Sequence, residues 1–198
     1  RVGLPTLKCE GLRATPPESI ELVAMALRAS ANLSLVRRLV FRGLPALGLS
    51  GVDLGLLKSN FVDRAKLGFV GTSPLVDAER LRGLVDAGYL PVIAPLCLGP
   101  AGEVLNVNAD TVAQAVAAAL RAEQLDFVSD VPGVYDDSGV RWQIRVPEVA
   151  KLLSQDSVTG GMVPKLQAAL GALEAGVPRV RIGSLTTLRS DAATVLCP

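Results

Sequence analysis

Histidine is absent from all 198 residues. That gap removes the Ser-His-Asp triad, the HExxH zinc helix, Cys2His2 fingers and every imidazole acid–base scheme. Any chemistry must run on Lys, Arg, Asp, Asn and backbone amides. Cysteine is scarce, and Cys9, Cys97 and Cys197 lie far apart with no CxxC pair. No thiol metal site or redox motif can be read from them, no other metal-ligand set stands out, and buried free thiols in a reducing compartment are expected. Surplus charge is missing too. Lys and Arg number 20 against 19 for Asp and Glu, a net charge of +1, which supplies no broad cationic field for nucleic acid or an anionic membrane. The longest apolar stretch, Tyr89 to Leu98, is interrupted by Pro91 and Pro95 and falls short of the ~20 residues of a membrane helix. No charged-then-apolar leader opens the chain, which argues against secretion, but the first residue is Arg1 and not methionine.

What is present is aliphatic. Apolar residues make up 49% and aromatics only 4%, which suits one globular domain over residues 1–198 with an aliphatic core. Thr15-Pro16-Pro17-Glu18 has the form of a capping box with prolines in the first turn, ahead of Ile20, Val23, Ala24 and Leu27 at helical spacing. This predicts a helix from about Pro16 to Ala29. Asn32 is placed to cap a second helix through Leu35, Val36, Leu39 and Val40, stopping near Gly43. Pro45 to Leu49 then reads as a strand and Leu67 to Val70 as a further extended piece. Asp77 caps a helix that stops at Gly88, and Tyr89 to Pro95 follows as a strand buried on both faces.

Gly99-Pro100-Ala101-Gly102 reads as a hairpin turn between Leu96 to Leu98 and Val104 to Val107. An Ala-rich helix ending near Ala122 precedes a strand from Leu125 to Ser129. Turns at Asp130-Val131-Pro132-Gly133 and Asp136-Asp137-Ser138-Gly139, a helix opened by Pro147, a helix from about Met162 to Ala175 and a strand from Val180 to Ile182 follow. After Ile182 the pattern fades. There is no internal repeat or linker, and the helix–strand alternation points to a three-layer α/β domain.

Two segments, Asn106-Val107-Asn108-Ala109-Asp110 and Gly160-Gly161-Met162-Val163-Pro164-Lys165, place polar or glycine residues where a helix starts, a position whose free N–H groups attract anions. Each has an ordinary alternative. Asn108 serves as a plain N-cap with Asp110 in the first turn, while Gly160-Gly161 makes a flexible turn and Lys165 is a surface lysine.

Together with Gly11-Leu12-Arg13-Ala14-Thr15, Ser50-Gly51-Val52-Asp53, Leu67-Gly68-Phe69-Val70-Gly71 and Ser129-Asp130-Val131-Pro132-Gly133, taken in order, these segments resemble the N-acetylglutamate kinases of the amino-acid kinase family. The resemblance runs from about Val2 to Ile182. It implies a three-layer αβα sandwich with a mostly parallel central sheet that forms a homodimer or larger homo-oligomer in the cytoplasm. It also implies phosphorylation of the side-chain carboxylate of N-acetyl-L-glutamate by ATP, with Mg2+ held mainly by the nucleotide, as a step of arginine biosynthesis. Asn108-Ala109 favours the free acetylated substrate over the carrier-linked aminoadipate of a sibling kinase, whose segment is NxDGD-like. That sibling activity and a non-catalytic ligand-binding module are the competing readings.

By the same resemblance, Arg13 holds the α-carboxylate of the acceptor through its bidentate fork, and Asn106 hydrogen-bonds the same substrate. Asp110 orients the catalytic lysines, and Lys165 sits against the ATP phosphates. Gly160 and Gly161 let backbone approach the nucleotide, Ser129, Asp130 and Val131 belong to the nucleotide-binding half, and Ser50 to Gly55 borders the acetyl or carboxylate end. Family members begin with a Lys-x-Gly-Gly strand and a His-Gly-Gly-Gly-Pro turn that complete the phosphate clamp. Neither segment occurs in the 198 residues, so the resemblance implies a kinase in the full-length parent and an inactive or severely impaired 198-residue chain.

Overall fold

In the computed structural model, residues 8–9, 12–136, 139–153 and 160–197 are described. The chain divides into two units, Arg1–Val112 and Ala113–Pro198.

The first unit opens with an antiparallel pair, β1 (Lys8–Cys9) and β2 (Leu12–Arg13). Pro16 is the extended N-cap of α1 (Pro17–Ala24), with Pro17 in the first turn, where a missing N–H costs nothing. The capping box expected at Thr15 does not form. With Pro16 at the N-cap, Thr15 sits one residue too early for its hydroxyl to serve the helix, and α1 has no side-chain cap. The helical run continues through a π-helix, Met25–Asn32, into α2 (Leu33–Phe41).

The break expected at Asn32 is therefore absent. Asn32 is itself helical (φ −60°, ψ −53°), and its buried amide reaches sideways to the carbonyls of Val92 (2.7 Å) and Leu49 (3.3 Å). The two expected helices are one run, Pro17–Phe41, of 25 residues, long and apolar enough by length and composition to cross a membrane. Charged residues such as Arg28, Arg37 and Arg38 interrupt the run, so it is not an unbroken apolar stretch in the sequence. Arg28 and Asn32 tie this run to the backbone of two strands of its own unit.

Those strands are β3 (Ala46–Ser50) and, further along, β6 (Leu90–Ala94), paired in parallel with Ser50 opposite Ala94. The sequence suggested burial of the β6 segment on both faces. Only Ala94 is buried and Leu90 is 40% exposed, because among the described residues β6 pairs with β3 alone. A second sheet has the order β5-β4-β7-β8, formed by β4 (Leu57–Lys58), β5 (Leu75–Val76), β7 (Leu96–Leu98) and β8 (Val104–Asn106). The hairpin across residues 99–102 is as expected, with Leu98 opposite Val104.

Leu67 is not extended. It closes a single helical turn, α3 (Arg64–Leu67), whose N-cap Asp63 accepts from the amides of Ala65 and Lys66. Gly68 at φ +69° turns the chain out of that helix, a conformation glycine adopts without a Cβ penalty. Between the hairpin strands and this turn, α4 (Ala78–Asp86) is capped by Asp77 as anticipated.

Helix α5 (Ala109–Leu120) leads into the second unit. Its sheet has the order β12-β14-β13-β9, from β9 (Leu125–Val128), β12 (Gln143–Arg145), β13 (Val180–Gly183) and β14 (Thr194–Cys197). Strand β13 runs parallel to β9 and antiparallel to β14. A hairpin of β10 (Val134–Asp136) and β11 (Gly139–Arg141) precedes it, with positions 137 and 138 of the expected turn outside the described residues. Helices α6 (Val146–Leu153) and α7 (Met162–Glu174) bury Val149, Leu152, Leu166, Ala169 and Ala172 against Ile144, Val180 and Ile182.

The tail, where periodicity faded, forms α8 (Leu185–Arg189) and β14. Thr194 of that strand is fully buried, accepting from the Val134 amide (2.8 Å) and donating to the Arg141 carbonyl (2.5 Å). The observed architecture is mixed α/β with parallel strand pairs in both units.

Candidate active site

The first unit gathers Arg13, Thr15 and Asn106 through one short segment, Leu67 to Gly71. Thr15 donates its amide to Leu67 O (2.9 Å) and accepts from Phe69 N (2.7 Å), while Asn106 donates to Phe69 O (2.9 Å) and accepts from Gly71 N (3.0 Å). Phe69 thereby holds both segments, Thr15 through its N–H and Asn106 through its C=O. A side chain at Gly68 would collide with Thr15 O, so this closeness requires glycine. The Asn106 amide donates to Thr15 Oγ1 at 3.1 Å, and Thr15 Oγ1 lies 3.4 Å from Arg13 O. Arg13 is exposed and Asn106 half-buried, so both offer polar groups at a surface whose backbone is fixed from behind. Thr15 is the residue that sequence reasoning missed, since its position before two prolines gave it the signature of a cap.

Beyond Asn106 the chain enters α5. Asn108 Oδ1 accepts from the amides of Asp110 (2.8 Å) and Thr111 (3.2 Å), which is the ordinary N-cap reading. It places half-buried Asp110 in the first turn. The Ser50–Asp53 turn lies at the carboxyl end of β3, the edge where open parallel sheets take ligands. Asp53 accepts from Ser50 N (2.6 Å) and Ser50 Oγ (2.9 Å), and its Oδ2 lies 3.6 Å from Arg28 Nε. A Cβ on Gly51 would sit 2.6 Å from Leu96 O, and Leu96 is the register partner of Asn106, so the turn and Asn106 occupy one neighbourhood. Cys97, next to Leu96, is fully buried, and burial pushes its thiol up to about 12. It is an inert core group. Cys197 is half-buried and free, and the Cys9 side chain lies outside the described residues.

The second unit carries Ser129, Asp130, Val131, Gly160, Gly161 and Lys165. Lys165 Nζ stands 5.2 Å from the centre of the Phe127 ring on β9, a cation–π distance, which sets it beside the strand that runs out into Ser129 and Asp130. Ser129 donates its amide to Gly183 O (2.8 Å) and its hydroxyl to Asp130 (3.3 Å). Gly160 has φ +60° and Gly161 forms the N-cap of α7. Among the described residues, no atom beyond the neighbouring chain lies within 4 Å of a Cβ added at either. Lys165 lies in the first turns of a helix whose N-cap is a glycine and which has no side-chain cap among the described residues, a position where backbone N–H groups suit phosphate oxygens. Among the described residues no group of three His, Cys, Asp or Glu could hold a metal ion.

The chain matches the amino acid kinase family over residues 3–184. It is 44% identical to the acetylglutamate kinase of Geobacillus kaustophilus (strain HTA426) over 184 residues, covering 93% of this chain and 71% of that protein. It is 45% identical to the acetylglutamate kinase of Methanopyrus kandleri, covering 99% and 84%. Among solved structures it resembles smu.665 from Streptococcus mutans UA159, with a TM-score of 0.90 at 28% identity over 98% of this chain and 78% of that one. The protein is a member of the amino acid kinase family.

Proposed function

We propose that this protein is an acetylglutamate kinase, transferring the γ-phosphoryl group of ATP to the side-chain carboxylate of N-acetyl-L-glutamate to give an acyl phosphate in arginine biosynthesis. The observation that carries this reading is the 44–45% identity to acetylglutamate kinases over 93% and 99% of the chain. The residues suit the task. A carboxylate is already ionised near neutral pH and attacks without a general base, so a chain without histidine suffices. Rate then comes from in-line placement and from cations opposing charge on the moving phosphoryl group.

Arg13 grips the α-carboxylate of the acceptor, and Asn106 hydrogen-bonds the same molecule. Lys165 meets the ATP phosphates and Asp110 orients the lysine side. Gly160, Gly161, Ser129, Asp130 and Val131 receive the nucleotide, with Mg2+ carried on its phosphates. The protein acts in the cytoplasm as a homodimer or larger homo-oligomer, with no nucleic-acid or membrane partner. ADP release is measured with N-acetyl-L-glutamate, L-glutamate and N-acetyl-aminoadipate in turn. Turnover confined to the first supports the reading, and preference for the aminoadipate derivative replaces it with the sibling kinase.

A further inference from the structure

We infer that Thr15 is a positioning residue for the acceptor substrate, its buried hydroxyl fixing the direction of the Asn106 amide and the backbone at Arg13 together. The inference rests on the reading of Arg13 and Asn106 as acceptor contacts. Thr15 is 1% exposed, so its hydroxyl must find its partners within the protein, and among the described residues those within reach are Asn106 Nδ2 at 3.1 Å and Arg13 O at 3.4 Å. A carbonyl only accepts. With its proton directed toward Arg13 O, the Thr15 oxygen accepts from the Asn106 amide nitrogen, which places Nδ2 on that side. One hydroxyl thus settles which way the Asn106 side chain faces, leaving Oδ1 and the second N–H in fixed directions for a ligand.

The hydroxyl is held steady from the main chain outward. Thr15 is β-branched and stiff at χ1, and its own N–H and C=O are both bonded to the Leu67–Phe69 segment. Asn106 is bonded on both sides to the same segment, at Phe69 and Gly71. Both ends of the side-chain bond are therefore anchored to one strip of backbone. Replacing Thr15 by Val keeps the shape and the branching and removes only the hydroxyl, after which the Asn106 N–H loses its acceptor and the amide is free to turn. All main-chain bonds of the strip remain available.

The test is steady-state kinetics with N-acetyl-L-glutamate and ATP on the full-length protein as the cell makes it, in its wild-type form and as Thr15→Val, Thr15→Ser, Asn106→Ala and the Thr15→Val/Asn106→Ala double variant. The structure predicts that Thr15→Val raises KM for N-acetyl-L-glutamate roughly tenfold, the scale of one lost hydrogen bond that leaves a partner unpaired. KM for ATP stays within about twofold. Thr15→Ser restores the wild-type value, and the double variant is no worse than Asn106→Ala alone, because Thr15 acts through Asn106. A Thr15→Val enzyme with unchanged KM, or losses that multiply in the double variant, overturns the inference. If Thr15→Val does not fold, Thr15→Ala enters the same cycle and is read by the same coupling. A folded full-length wild type with no turnover of N-acetyl-L-glutamate would instead remove the reading of the acceptor, and the assignment of Thr15 would fall with it.

Discussion

The side-chain amide of Asn32 donates to the carbonyl oxygen of Val92 at 2.7 Å, across 60 residues of sequence. From the middle of the long helical run it bonds to both strands of the parallel pair, taking Leu49 O as well, while Oδ1 accepts from Arg28 (3.0 Å). Arg28 continues to Gly48 O (2.9 Å). A Cβ at Gly48 would stand 2.6 Å from Asn32 Oδ1, so this approach needs glycine at that point. Asn32→Leu is expected to strand two strand carbonyls and lower stability by about 2–3 kcal/mol, read as a fall in the urea midpoint with an unchanged slope. A midpoint equal to wild type would show the bonds to be dispensable.

Lys165 offers a separate test in the second unit. Its ammonium group lies over the Phe127 ring, a contact of modest worth at a partly exposed site, and Lys165→Ala is expected to remain folded. Its kcat is expected to fall by roughly 10²–10³-fold, the usual cost of removing one group that stabilises transition-state charge. A variant that unfolds would assign the lysine to structure, and a folded one that keeps its turnover would take it out of the catalytic site.

Much of the fold could be read locally. Asp77 and Asn108 cap helices as their positions suggested, the glycines at 43, 88 and 176 sit at positive φ where helices stop, and the hairpin at 99–102 is in place. Two departures from the local reading share one cause. Asn32 and Thr15 both carry the local signature of a helix cap, but each spends its side chain on a residue far away, Val92 and Asn106. No spacing rule reports such a bond. Leu67 is helical and not extended because Asp63 caps a helix of a single turn, too short for periodicity to register. In the tail, β14 is specified by pairing with β12 and β13 and not by its own pattern. For the site, the motifs proposed the residues, and the segment from Leu67 to Gly71 supplied what they could not, the strip of backbone that joins Arg13 to Asn106.

Arg13 is exposed at the end of β2, so its replacement should leave the fold intact. Arg13→Lys keeps the charge but loses the planar fork that matches a carboxylate. The expected outcome is an increase of roughly tenfold in KM for N-acetyl-L-glutamate, with KM for ATP unmoved. Equal kinetics in the two proteins would take Arg13 out of the acceptor site.

Cys97 gives a prediction on pH. Burial holds its thiol protonated, raised from an ordinary 9.0 to about 12. Its folded value lies above the unfolded one, so the stability it contributes is fully present below pH 9 and is lost as pH rises through that window toward 12. Cys97→Ala should weaken this alkaline decline. At pH 8, iodoacetamide followed by peptide mass mapping should modify half-buried Cys197 well before fully buried Cys97. Early labelling of Cys97 in the folded protein would contradict its burial.

The central claim is that an acyl phosphate forms on N-acetyl-L-glutamate, and hydroxylamine trapping reads that product directly as a coloured hydroxamate. The measurement uses the protein as the cell makes it, with MgATP, N-acetyl-L-glutamate and hydroxylamine. The account predicts hydroxamate that requires both substrates and disappears with Lys165→Ala. A folded protein that yields none, with glutamate and aminoadipate derivatives also tried, would contradict the kinase reading and leave a ligand-binding module in its place.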